Sequence, residues 1–112
     1  MRNLENLGSE TRDILEHYGY TPDDIAFIAF NNQYKTNDIV KFFDIADAIN
    51  YDAGYGSEKI NTNLRIYMKD NNYFIRKSYD GSEWWDIIFS EVPDLKELND
   101  FDDSILRETY NY

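Results

Sequence analysis

Cysteine is absent from this chain, so neither a disulfide framework nor a thiolate metal site can form. Histidine occurs once, at His17. A zinc centre or a His-dependent catalytic triad is therefore short of ligands and bases. Two prolines and five glycines mark no linker, and no internal repeat is visible. No apolar run approaches the length needed to cross a bilayer. The opening Met1-Arg2-Asn3-Leu4-Glu5-Asn6 lacks the apolar core of a secretion signal. These absences place the expected protein in the cytoplasm, away from membranes. Basic residues are also few: 11 Lys and Arg face 22 Asp and Glu, for a formal charge of -11. A phosphate backbone demands a basic surface, so direct nucleic-acid binding is disfavoured and a basic partner is favoured.

What is present is acid and tyrosine. Residues 1–50 carry nine acids and four bases, residues 51–79 three and five, and residues 80–112 ten and two. Two acidic blocks thus flank a mildly basic middle. Aromatic residues make up 17% of the chain, and ten of them are tyrosines, which suit surfaces both packed and wet. That composition is interface-like and compatible with a homodimer.

The 112 residues suffice for one domain with one core, expected over residues 9–93 with an acidic tail at 94–112. Ser9 caps a first helix with Ile14, Leu15 and Tyr18 as its apolar stripe and Gly19 as its stop. His17, in the last turn, suits the negative end of the helix dipole. Thr21-Pro22-Asp23-Asp24 starts a further helical turn, and Ile25–Phe30 is apolar enough for a buried strand. Thr36-Asn37-Asp38 caps a second helix over Asn37–Ile49, whose core face is Ile39, Phe42, Phe43, Ala46 and Ile49. Its outer face carries Asp44 and Asp47 one turn apart, either a solvated face or a pair projecting towards a partner.

The richest stretch follows. Asp80-Gly81 between apolar runs is a strong hairpin signal. Leu64–Met68, Tyr73–Tyr79 and Glu83–Phe89 read as an antiparallel three-stranded meander. Trp84 and Trp85 must point to opposite faces. Trp85 is expected in the core with Ile87 and Phe89, and Trp84 outside with Asp86, near Arg65 or Arg76. Leu95, Leu98, Ile105 and Leu106 give the tail helical spacing amid many acids, the composition of a partly disordered segment. The expected fold is α+β: a small antiparallel sheet, the meander plus one further strand, with a helix packed on one face.

Carboxylates are plentiful, but no spacing singles out a general acid and base. Asp52 and Asp80 sit in turns, where aspartate bonds nearby backbone N–H groups. Gly54 and Gly56 lack the partners of a phosphate loop. Tyr51, Tyr55, Tyr67, Tyr73, Tyr79 and Trp84 read either as a stacking platform for bases or as core and hot-spot anchors. The tail acids, Glu91, Asp94 and Glu97 among them, read as solvated or as mimics of phosphate charges.

The pattern Tyr51-Asp52-Ala53-Gly54-Tyr55-Gly56, then Ile60, Leu64 and Arg76, then Tyr79-Asp80-Gly81-Ser82-Glu83-Trp84-Trp85, resembles small acidic accessory proteins of phages and other mobile elements. These are similar to anti-CRISPR and other anti-defence inhibitors, many of which bind the nuclease complex. The resemblance implies no enzymatic chemistry and no cofactor, and supplies no catalytic residue. It implies a host-cell cytoplasmic inhibitor that mimics DNA and blocks target binding by a CRISPR effector. Asp44, Asp47, Asp80, Glu83, Trp84, Asp86, Glu91, Asp94 and Glu97 are the expected contacts with that basic, nucleic-acid-binding partner. Three other functions meet the same composition: a phage structural or assembly component, an acidic immunity or antitoxin-like protein that neutralises a basic toxin, and a small ligand-binding or enzymatic domain. The last would place its site at the Tyr51–Gly56 loop and the Asp80–Glu83 turn.

Overall fold

The structure, a computed structural model, describes residues 4–52, 59–79, 82–89 and 95–107. Its order is β1 (Leu4–Asn6), α1 (Leu7–His17), β2 (Ile25–Phe30), β3 (Tyr34–Thr36), α2 (Ile39–Ala46) and β4 (Asn50–Asp52). β5 (Arg65–Met68), β6 (Tyr73–Tyr79), β7 (Ser82–Ile88) and β8 (Lys96–Glu97) complete it. Single 3-10 turns form at Pro22–Asp24 and Asp103–Ile105. The fold is α+β, with a mixed six-stranded sheet in the order β7-β6-β5-β2-β3-β8 and a separate pair, β1 with β4.

The sheet is larger than the expected four antiparallel strands. The runs that became β5, β6 and β7 pair antiparallel and occupy one side of it, with Tyr79 opposite Ser82. Asp80 and Gly81, between those two residues, lie outside the described residues. On the other side, β3 and the two-residue β8 are too short to carry an alternating pattern. β8 runs parallel to β3. It reaches β3 from a distant part of the chain, so no hairpin dictates an antiparallel pairing.

Alternation explains which side chains fill the core. Ile28 and Phe30 of β2, Ile66 and Met68 of β5, Phe74 of β6 and Trp85 of β7 share one face of the sheet, and α1 and α2 supply Leu7, Leu15, Phe42, Phe43 and Ala46 against it. Both helices, not one, therefore cover this face. Asn6 caps α1, its Oδ1 accepting from the Ser9 N–H at 3.0 Å. The helix thus begins before the expected Ser9 cap, because Leu7 is fully buried and its N–H donates to Ile49 O at 2.9 Å. Gly19, at φ +82°, ends the helix as expected, and Tyr20 N–H returns to Leu15 O at 2.8 Å. Tyr18, assigned to the apolar stripe, is 42% exposed. Asp38 caps α2 by accepting from Lys41 N–H at 3.1 Å, while Thr36 belongs to β3. α2 stops at Ala46, and a further turn delivers Ile49 to the core.

The opposite sheet face holds a second cluster: Phe27 stacks on Tyr67 and Tyr67 on Tyr73, with ring centroids 4.7 and 4.6 Å apart. Residues 95–107 are not a helix. Phe101 and Leu106 are buried, and Asn61 N–H and Nδ2 donate to Leu106 O and Ile105 O at 2.9 and 2.8 Å. The packed domain thus extends beyond residue 93 at one end and before residue 9 at the other.

Candidate functional site

Arg76 is the centre of the polar architecture. Alternation puts it on the core face with Phe74, and its side chain is 2% exposed. Its Nη1 donates to Glu10 Oε1 at 3.1 Å, and its Nη2 donates to Tyr51 Oη at 3.0 Å and to Glu83 Oε1 at 3.1 Å. Tyr51 in turn donates to Glu10 Oε1. Glu83 also accepts from Lys59 N–H at 2.6 Å and Ile60 N–H at 3.0 Å. One guanidinium thereby ties β6 to α1, β4, β7 and the segment before β5. Burial disfavours the Arg76 charge, yet Glu10, Tyr51 and Glu83 together hold it more basic than usual. Burial, helped by the Glu10 hydrogen bond and opposed by the Arg76 charge, raises the Tyr51 phenol well above the tyrosine range.

A groove of about 260 Å³ opens beside this cluster, where β1 and α1 meet the edge strand β7. Glu5, Glu10, Asp13, Ile14, His17, Trp84 and Trp85 line it. Its wall is fixed from behind. Trp85 Nε1 donates to Thr11 Oγ1 at 3.0 Å, and that buried hydroxyl donates to Leu7 O at 2.6 Å. Trp84, by contrast, is 39% exposed. Among the described residues Glu5 and Asp13 form no ion pair, and no lysine or arginine lines the groove. The arrangement is a recess backed by the buried Trp85 indole, with carboxylates in its lining.

Among the described residues, those expected to meet a partner do not form one patch. Trp84 is exposed, and Asp86 is part-buried with its Oδ1 accepting from Ile87 N–H at 2.9 Å. Lys77, not Arg65 or Arg76, stands opposite Trp84, and Arg76 lies over Trp85 at 4.9 Å. Glu83 is a correction: at 5% exposure it is a core residue. Two positions before the inward Trp85, it must point inward as well. Asp47 caps the end of α2 and is held by Arg12 at 2.6 and 3.0 Å, a hydrogen bond that lowers its carboxyl below the usual range. Asp44 is exposed and lines a different groove, about 430 Å³, with Val40 and Phe43. Glu97 lies on β8, at the far edge of the sheet from Trp84. Six strands spaced by about 4.8 Å separate those edges by roughly 24 Å. Asp80, Glu91 and Asp94 lie outside the described residues. Phe89, expected inside, is 69% exposed beyond the end of β7.

The aromatic set divides similarly. Tyr51, Tyr67 and Tyr73 are buried, which removes them from any base-stacking platform, while Tyr79 and Trp84 are exposed; Tyr55 lies outside the described residues. Asp52 ends β4, and of the Tyr51–Gly56 loop only its first two residues are described. Sequence alone did not single out Glu5, Glu10 and Asp13 as neighbours of the tryptophans. The spacing of Glu10, Asp13, Ile14 and His17 on α1 carried the signal, since residues three and four apart share a helix face.

Compared with protein-family models, with curated proteins and with solved structures, the chain matches none. No helix among the described residues is long and apolar enough to cross a membrane. What the fold and the groove define is a small α+β domain with an acid-rimmed, tryptophan-bearing recess.

Proposed function

We propose that this protein is a non-enzymatic binding protein that occupies a basic, nucleic-acid-binding surface of another protein. In its particular form the proposal is an anti-CRISPR-like inhibitor, with carboxylates standing where an effector expects DNA phosphates. The observation that carries the reading is the separation of charge by face. The helical side exposes Asp13, Glu16, Asp23 and Asp44. The arginine of α1 and the lysine of α2 are engaged: Arg12 pairs with Asp47, and Lys41 donates to Asn99 O at 3.1 Å and lies over Phe101. Lys35 and Arg65 stand over Phe27 and Tyr73 on the opposite sheet face. A one-signed surface attracts a basic groove over long range and speeds its capture.

Tagged protein incubated with lysates containing CRISPR effectors, at low and high salt, tests this. Recovery of an effector that then fails to bind target DNA supports the proposal, with loss at high salt pointing to the acidic side. Recovery of no nucleic-acid-binding protein at low salt overturns it. An immunity protein against a basic toxin would use the same surface, and the same capture separates the two by the identity of the partner.

A further inference from the structure

We infer that the groove between α2 and the Pro22–Asp24 turn is a docking site for an apolar side chain of the partner with a lysine or arginine beside it. The apolar group would sit on Ile25 and Phe43, and the cation would face Asp23 and Asp44. This rests on the reading of a basic protein partner and names the place where such a partner anchors. Periodicity is the first argument. Val40, Phe43 and Asp44 stand at i, i+3 and i+4 on α2, so one stripe of the helix carries an aliphatic, an aromatic and an acid. Phe43 turns into the core, whereas Val40 is 73% exposed and takes no part in it.

Size and order are the second. The groove holds about 430 Å³, within the ~300–1,000 Å³ of sites that bury small ligands, so a whole apolar side chain and the stem of a neighbour fit. Ile25 and Phe43 in its lining are buried. Arg12 lies 4.4 Å over the Phe43 ring with its guanidinium bonded twice to Asp47, and Thr21 N–H donates to Asp24 Oδ2 at 2.8 Å to hold the turn. Most of the site therefore needs no ordering on binding. Charge complementarity selects the occupant. Asp23 and Asp44 come from different elements, are both exposed, and form no ion pair among the described residues. Arg12, the one cation lining the groove among the described residues, is neutralised by Asp47. An apolar recess rimmed by two unmatched carboxylates rewards an apolar group with a positive neighbour over an anionic or neutral one. A second copy of this chain, at a formal charge of -11, would bring like charge to the same rim.

The first test needs no partner protein. The full chain, isotope-labelled at its isoleucine methyls, is titrated at low salt with n-hexylammonium, n-hexanol and n-hexanoate, which share an alkyl chain and differ in charge. The readouts are the Ile25 and Ile39 methyls in the groove, with the fully buried Ile66 as internal reference. Hexylammonium should shift both in a saturable way, hexanol more weakly and hexanoate least. Asp23→Asn with Asp44→Asn should weaken hexylammonium about fivefold, as two exposed charge pairs would, and leave hexanol unchanged. Val40→Ser should weaken hexanol and hexylammonium alike, and neither variant should move the thermal midpoint. The inference is overturned by silent Ile25 and Ile39 methyls, by hexanol or hexanoate binding as tightly as hexylammonium, or by an unaffected double variant. Methyl shifts that grow with protein concentration alone would seat a second copy in the groove and overturn it too. In the capture experiment, a basic nucleic-acid-binding protein recovered equally by the native chain and by Val40→Ser leaves the acidic-surface reading standing, and the docking site falls. Recovery of none, with the hexylammonium preference intact, overturns that reading while the chemistry of the groove stands.

Discussion

Replacing Arg76 by methionine should be among the most damaging single changes in this protein. The guanidinium makes three hydrogen bonds, two of them to carboxylates, in a place where Arg76 and Glu83 side chains are each 2% exposed and Glu10 is 16% exposed. Methionine fills similar volume but leaves Glu83 and Glu10 without their counter-charge. Breaking a buried pair from one side costs about 3–5 kcal/mol. Glu83 keeps two backbone donors, Lys59 N–H and Ile60 N–H, which places the expected cost near the lower end, about 3 kcal/mol. Against a domain stability of about 5–15 kcal/mol that is a large fraction. Arg76→Lys keeps the charge but loses the fork, and should cost about 2 kcal/mol. Pairing Arg76→Met with Glu83→Gln removes both charges, so the double variant should be more stable than the sum of the singles by about 1–3 kcal/mol. Urea unfolding followed by far-ultraviolet circular dichroism measures each value. An Arg76→Met cost under about 1 kcal/mol, the range of surface substitutions, would refute the view that this cluster braces the fold.

Three smaller perturbations follow from single contacts. A Cβ at Gly8 would lie 1.8 Å from Asp47 Oδ1 and 3.0 Å from Asp47 N, so Gly8→Ala should destabilise by about 1–3 kcal/mol although alanine is the better helix former. Asp47→Ala should relieve part of that cost in the double variant, and thermal melts would show it. Tyr51 keeps its proton in the folded state after an unfolded tyrosine, with a pKa of about 10, has begun to ionise. Its contribution is therefore complete below that pH and is lost as pH rises above it, and Tyr51→Phe should flatten the alkaline limb of the stability curve. The Asp47 carboxyl is lowered by Arg12, so its contribution is present above the usual aspartate range and is lost as pH falls through the folded value. Both side chains are nearly half exposed, so Asp47→Asn should cost only about 0.5 kcal/mol near neutrality, less in high salt and less again in acid.

How much of this was legible in the sequence depended on how local the determining contact is. Ile25–Phe30, the α2 face and the Gly19 stop are set by near neighbours, and the residues named them. β1, β3 and β4 have three residues each and β8 has two, too few for any periodicity to register. The spacing of Leu95, Leu98, Ile105 and Leu106 mimicked a helix. In the structure these residues are partly or fully buried because the segment is pinned to Asn61, a long-range contact that no local pattern encodes.

The polar cluster was readable in part. Once Trp85 is assigned inward, Glu83 must follow, and the pairing of Tyr79 with Ser82 sets Arg76 opposite Trp85. An acid and a base then face the same core, which burial tolerates only as a pair. What hairpin logic does not supply is Glu10 and Tyr51, brought from α1 and β4 by tertiary packing. The groove has the same history. Glu10, Asp13, Ile14 and His17 share a helix stripe that, taken alone, reads as a solvated face with one stray isoleucine. It becomes a recess because β7 ends the sheet beside α1, leaving Trp84 at an edge that no further strand among the described residues covers. The chemistry of the recess was present in the residue types. Its location is a property of strand order, which is settled only when the whole chain is packed.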